Sequence, residues 1–162
     1  MRKSSGAALR ASSFAMLVIA GVADAAEQGT TTGFAAYKAT GEVQEYSAET
    51  LVWTGTFVGA SVTDAGDGPL HNSAWDCTGE VILREGMAHL ADGFCEVVDA
   101  DGDAISLYWQ RTDVPAPPAE PKTKGTYIGG TGKYAGIAGY YTFACRAGGT
   151  ICTITSGEYT IP

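Results

Sequence analysis

The sequence predicts an all-β domain of eight antiparallel strands, closed as a barrel or paired as a β-sandwich. Three observations carry this. Glycine is abundant, 22 of 162 residues, and Thr, Val, Ile and Tyr recur in short runs bounded by Gly, Asp and Pro, the texture of strands and turns. Two hairpins can be put in register from the sequence alone, and each register sets two cysteines opposite one another. Along the longer hairpin, alternate residues sort into an apolar and an acidic face, as in a sheet with one covered side.

The elements follow in chain order. Arg2, Lys3 and Arg10 make a basic start, Phe14 to Val22 is a short apolar run, and Ala23-Asp24-Ala25 gives a small-x-small pattern. The apolar run falls short of the roughly 20 residues of a spanning helix. Residues 1–25 are therefore expected to be a cleaved Sec-type signal peptide. Residues 26–36 are expected as a flexible N-terminal segment, or a short first strand, and 37–162 as a single β-domain. Its strands are expected at 39–47, 50–62, 73–85, 88–98, 104–112, 123–129, 138–146 and 150–160. Asp113–Lys122, DVPAPPAEPK, holds four of the six prolines and cannot join a ladder. Thr63–Ser73, TDAGDGPLHNS, is a second long, turn-rich loop.

Removing the leader takes away three basic residues and one acid. Lys+Arg falls from 10 to 7 and Asp+Glu from 18 to 17, a net charge of −10. Such a surface repels phosphate backbones and anionic lipid, so nucleic acid and membrane surfaces are not expected partners. No second apolar run suggests a membrane span. A periplasmic or secreted location would place Cys77, Cys95, Cys145 and Cys152 in an oxidising compartment. None lies in a C-x-x-C motif, which argues against zinc or a thioredoxin-like centre.

The two hairpins select among the three pairings that four cysteines allow. In CRAGGTIC, Gly148-Gly149 suits a two-residue primed turn, which sets Cys145 opposite Cys152. The other hairpin turns at Arg84-Glu85-Gly86-Met87. With Arg84 opposite Ala88, opposed positions sum to 172, and Cys77 and Cys95 obey the same rule. Directly opposed residues come close enough for a disulfide, so Cys77–Cys95 and Cys145–Cys152 are expected. One face of this hairpin carries Trp75, Cys77, Val81, Leu83, His89, Ala91 and Cys95; the other carries Asp76, Glu80, Asp92 and Glu96. The next turn centres on Asp101 and brings Gly93 beside Trp109, whose indole would cover Gly93 and Gly79. The apolar face is assigned inward.

Gly129–Tyr141, GGTGKYAGIAGYY, looks at first like a phosphate cradle. A P-loop needs Ser or Thr after Gly-Lys and a glycine five residues earlier; here Tyr134 and Tyr127 stand at those positions. A dinucleotide loop must open a helix, but GYYTF continues as a strand. The same residues, Gly129 to Phe143, resemble the glycine signature of the allene oxide cyclase-like and dirigent-like barrel group. That resemblance implies an eight-stranded antiparallel, calycin-type barrel around an apolar cavity. Members with enzymatic roles are cofactor-free cyclases or guides of ring closure, and several form dimers or trimers, which admits a homo-oligomer here. No catalytic residue carries over, because only the glycine loop matches.

Candidate site residues come from the register. His89 and Arg111 share the face assigned inward and are one diagonal step apart, an arrangement suited to polarising a carbonyl or binding a carboxylate; the alternative is a rim histidine beside a surface arginine. Glu80 opposite Asp92 is the alternative pair, able to hold a raised pKa only if that face is interior. Trp53, Trp109, Tyr127 and Tyr141, with Phe57, Trp75 and Phe143, would supply a stacking cavity. His71 near Asp64 and Asp67, and the Asp99–Asp103 run DADGD, read as turns; DADGD has Ala104 and Gln110 where a calcium loop needs Gly and Glu. No metal or cofactor is expected. The expected function is binding of a small apolar or aromatic molecule, with or without cofactor-free cyclisation, isomerisation or elimination. The alternative is a non-catalytic exported carrier or an interaction protein.

Overall fold

The computed structural model describes residues 25–85, 87–111, 122–146 and 150–162. They form nine strands: β1 (Glu27–Thr30), β2 (Gly33–Ser47), β3 (Thr50–Thr63), β4 (Ser73–Arg84), β5 (Met87–Val98), β6 (Ala104–Arg111), β7 (Lys122–Gly130), β8 (Ala138–Arg146) and β9 (Ile151–Ile161). All pair antiparallel in the order β1-β9-β2-β3-β4-β5-β6-β7-β8, and β8 pairs back onto β9. The sheet is therefore closed, which leaves a barrel and not a sandwich. No helix among the described residues is long and apolar enough to cross a membrane.

Nine segments make an eight-stranded barrel because β1 and β2 share one place in the ring. β1 pairs with Glu158–Ile161, and the first residues of β2, Gly33–Ala36, pair with Ile151–Ile154 of the same strand. Thr31 bridges the two, its N–H donating to Gly157 O at 3.0 Å. Of the two expectations for 26–36, the short first strand is the one seen, followed directly by the start of β2. The alternation of that run, with Ala35 buried between exposed Phe34 and Ala36, is that of a strand with one face inside. The expected leader, apart from Ala25, lies outside the described residues, as do the proline-rich connection over 112–121 and the Gly148-Gly149 turn.

The hairpin registers hold through most of their length. Cys77 opposes Cys95 and Cys145 opposes Cys152, and both pairs are disulfide-bonded with Cα atoms 4.0 Å apart. Near the β4–β5 turn the register changes. Ile82 faces Leu90 as expected, but Leu83 faces Ala88 and Arg84 faces Met87. Glu85 has a φ of 51°, so a two-residue turn with a left-handed first residue closes the hairpin one position early. The ladder absorbs the difference as a bulge, and His89 is the extra residue.

One row of register partners circles the interior: Gly41, Gly55, Gly79, Gly93, Trp109, Gly125, Tyr141 and Gly157. Two large rings sit in this row among six glycines because Trp109 occupies the room left at Gly79 and Gly93 and Tyr141 that left at Gly125 and Gly157, while Trp53 covers Gly41 and Gly55. A Cβ on Gly93 would stand 2.8 Å from Trp109 Cζ2, and one on Gly157 would stand 2.8 Å from Tyr141 Cβ. The core packs around these rings, with Trp75, Leu107, Ile105 and Ile154 fully or almost fully buried.

The 64–72 loop seals one end. Leu70 is completely buried although its φ is 72°, a conformation that a bulky residue holds only where its surroundings dictate it. Ser61 Oγ donates to Leu70 O at 2.5 Å and accepts from Trp75 Nε1 at 2.7 Å. Thr63 Oγ1 donates to Asp67 O at 2.8 Å. His71, expected as a solvated turn residue, is half-buried here; its Nδ1 accepts from Thr63 N–H at 3.2 Å, which assigns the ring proton to Nε2.

Candidate functional site

The inward residues of β2 to β9 leave a cavity of about 410 Å³, within the range that holds small-molecule ligands. It lies on the side of the sealed end from which β2–β5 run on. Tyr37, Phe57, Trp75, Trp109, Tyr141 and Phe143 form its aromatic wall. They meet as a chain of ring contacts: Tyr37 edge-on to Trp75 at 5.6 Å, Trp75 edge-on to Tyr141 at 5.9 Å, Tyr141 stacked on Phe143 at 5.6 Å, and Phe57 edge-on to Trp109 at 5.7 Å. Val81, Leu83, Ala88 and Ala91 line the flank toward the β4–β5 turn, and both disulfides face the same space. The wall is apolar and sulfur-rich, suited to a flat, polarisable ligand.

Polar groups on this wall are few. Arg111 and Thr123 lie at the end away from Leu70, and two phenols, Tyr37 and Tyr141, flank Trp75. Neither phenol makes a hydrogen bond to another described residue. Burial alone pushes the Tyr37 hydroxyl far above the ordinary tyrosine range. The Tyr141 hydroxyl is raised by burial, and then by the neighbouring Tyr37 and Tyr127. Both therefore stay protonated at any physiological pH and present hydrogen-bond donors, not bases, to the cavity.

The expected site residues separate. Trp109 and Tyr141 line the cavity, and so does Arg111. His89 does not join Arg111: the bulge turns Ala88 and Ala91 inward and leaves His89 exposed. Trp53 packs on Phe57 at 5.0 Å, over Gly41 and Gly55, outside the cavity wall. Tyr127 is buried beyond the cavity, and its hydroxyl, beside Thr31, makes no hydrogen bond of good geometry to a described residue. Glu80 and Asp92 oppose each other as expected, on the outer face, where Asp92 Oδ2 accepts from Tyr108 O–H at 3.1 Å. Among the described residues no group of three His, Cys, Asp or Glu side chains is placed to hold a metal ion. Tyr37 is the residue that sequence reasoning missed. Its signal was the alternation Ala35-Tyr37-Ala39, which places it on the inner face once β2 is allowed to start at Gly33.

The glycine loop serves the sealed end. A 3₁₀ turn, Gly132–Tyr134, folds against the β5–β6 hairpin turn, and Lys133 Nζ lies 2.6 Å from both Asp99 Oδ2 and Asp101 Oδ2. Gly132 has a φ of 53° and stands where a Cβ would collide with the Asp103 carboxylate. Asp99 also accepts from the N–H groups of Asp101 and Asp103 and from Tyr134 O–H. Lys133 first, then these donors, hold the Asp99 carboxyl down at about 2. The Tyr134 hydroxyl is pushed up to about 12, by burial and then by Asp99. The loop is a clamp between two turns.

Set beside known proteins, the chain is similar to the solved structure of a pterocarpan synthase dirigent protein, GePTS1. The likeness covers 93% of this chain and 94% of that one, at 11% identity and a TM-score of 0.45. It concerns the course of the chain and not the glycine signature, and carries nothing about activity. No family model matches the chain, and no curated protein does.

Proposed function

We propose that this is an exported barrel that binds one small, flat, apolar or aromatic molecule carrying a hydrogen-bond acceptor. The observation that carries the reading is the 410 Å³ aromatic cavity with two protonated, unpartnered phenols on its wall. An acceptor atom on the ligand would receive a hydrogen bond from a phenol whose oxygen makes none to another described residue. Export rests on the basic, apolar and small-x-small pattern of residues 1–25 and on the two disulfides, which favour a periplasmic or secreted setting. Recovery of protein beginning at Ala26 after expression of the full chain would support it; retention of Met1 would oppose it.

Binding is favoured over acid–base catalysis by the chemistry of the wall. The described lining residues include no carboxylate and no imidazole, so none among them is a base suited to receive a proton from a ligand. Reactions needing only polarisation of an acceptor, such as an isomerisation guided by the cavity shape, remain compatible with two phenol donors. The deciding experiment is titration with a neutral fluorescent naphthylamine probe. Saturable one-site binding that Ala91→Trp abolishes, with cooperative unfolding retained, is the expected result. Absence of saturable binding, or binding indifferent to Ala91→Trp, would refute the reading.

A further inference from the structure

Among the described residues that line the cavity, the only charged side chain is Arg111, in a chain whose net charge is −8. The register explains the sign. Asp76, Glu80, Asp92 and Glu96 alternate with the inward residues of β4 and β5 and so stand on the outer face. Arg111 ends β6, two positions after Trp109, and shares its inward face. It opposes Thr123 on β7, which opposes Phe143 on β8. A guanidinium, a hydroxyl and a ring therefore lie in one row at the end away from Leu70. The next inward row, about 6–7 Å along the strands, is that of Trp109 and Tyr141. With His89 on the surface, the pair expected for proton transfer is not formed, and a guanidinium keeps its own proton. What Arg111 supplies to the cavity is a fixed positive charge. Its five N–H donors form a planar fork, so a contact with the protein leaves others to meet a ligand.

We infer that the ligand is an organic anion: a flat, apolar or aromatic body ending in one carboxylate or sulfonate, with the acid group held by Arg111. The inference rests on the cavity reading given above and adds the ligand's charge and its orientation. The body lies against Trp109, Trp75 and Tyr141, and the acid group faces the row of Arg111 and Thr123. Two oxygens of a carboxylate or sulfonate match two donors of the guanidinium fork. The Thr123 hydroxyl, on the adjacent strand, offers a further donor at the same end. The apolar wall strengthens the attraction, since opposite charges interact more strongly where water is excluded. A cationic ligand would meet repulsion from Arg111 and no counter-charge on the described wall. The outer surface, which carries the four carboxylates of β4 and β5, repels anions. A preference for an anion over its neutral counterpart therefore has to arise inside the barrel.

Fluorescence titration with two matched probes tests the inference. N-phenyl-1-naphthylamine and 8-anilino-1-naphthalenesulfonate share one skeleton and differ by a sulfonate. The parent should bind the sulfonate at least about tenfold more tightly than the neutral probe. Arg111→Gln should weaken the sulfonate at least about tenfold and leave the neutral probe within about twofold, which also shows that the cavity of the variant is intact. Arg111→Lys, which keeps the charge and loses the fork, should retain an intermediate preference. Raising sodium chloride from about 20 mM to about 500 mM should weaken the sulfonate and not the neutral probe, a reading that needs no variant. Equal affinities for the two probes in the parent would overturn the inference. So would equal losses of both in Arg111→Gln, or sulfonate binding that survives Ala91→Trp. In each of these cases the cavity reading stands if Ala91→Trp still abolishes binding of the neutral probe. Binding of neither probe to the parent would instead overturn the cavity reading, and this inference with it.

Discussion

The Trp109 indole occupies the place where a side chain on Gly79 would stand. A Cβ added to Gly79 would meet Asp92 O at 2.5 Å and crowd Trp109 Cζ2. Gly79→Ala should therefore destabilise the barrel by about 1–3 kcal/mol, the usual cost of forcing extra carbon into a packed interior. Trp109→Ala, which empties the same space, should cost about 3–5 kcal/mol. Urea midpoints measured with unchanged slope would show both. Relief from Trp109→Phe in the Gly79→Ala background should be partial, because the Asp92 carbonyl cannot move aside as a ring can. Full relief would mean the backbone contact is not limiting.

This relationship is legible in the sequence, because it follows from period-two alternation and one correctly counted turn. The disulfides came from the same arithmetic. What was not legible came from places where counting fails. A single left-handed residue, Glu85, shifts the register by one and carries His89 from the cavity to the surface. Closure into a barrel was not written in any one hairpin, since it depends on β9 pairing with β1 and β2 in succession. The role of Lys133 depends on two turns about 30 residues apart in sequence, which no local pattern could join.

The bulge makes its own prediction. His89→Ala should leave both probe binding and stability within about 0.5 kcal/mol of the parent, as for other exposed substitutions. Deleting His89 should restore a continuous ladder with Leu83 still opposite Ala88 and Ile82 still opposite Leu90, so Ala88 stays on the inner face and probe binding is retained. Loss of binding in His89→Ala would mean that this side chain reaches the ligand after all.

The two phenols predict opposite effects on stability and on ligand choice. Tyr37→Phe removes a buried hydroxyl that has no partner, so the empty protein should be as stable as the parent or slightly more so. Binding of a ligand with a carbonyl or ether oxygen should weaken by roughly 5–10-fold, the worth of about one hydrogen bond. Binding of the same hydrocarbon skeleton without the oxygen should be unchanged. Calorimetric titration with such a matched pair distinguishes a donor role from a purely steric one; equal losses for both ligands would assign Tyr37 to shape alone.

Reduction of the Cys145–Cys152 bond should act on the cavity as well as on stability. It closes a short loop, sequence separation 7, so the chain-entropy contribution is about 2–3 kcal/mol. Cys145→Ser/Cys152→Ser should lower the urea midpoint accordingly. It should also weaken the hydrophobic probe, because both residues border the cavity. The corresponding change at Cys77–Cys95, in the same buried cluster as Trp75 and Trp109, should cost somewhat more for its longer loop.

The clamp at the sealed end sets a pH window. The Asp99 carboxyl titrates at about 2 in the folded chain against about 3.9 when unfolded. Its contribution is complete above the unfolded value and is lost as pH falls from about 4 toward 2. Lys133 is raised above its ordinary range, first by Asp101 and then by Asp99, so its share is complete below about pH 10 and is lost only at still more alkaline pH. Stability of the parent should be flat, as far as this pair is concerned, between about pH 5 and 9. Asp99→Asn should remove part of the acid limb, and the difference between parent and variant should vanish near pH 2. Lys133→Met should lower the plateau while leaving Asp99 less depressed, so its acid limb moves to higher pH. Thermal unfolding measured from pH 2 to 9 reads both. An acid limb identical in all three proteins would show that the clamp does not couple the two turns.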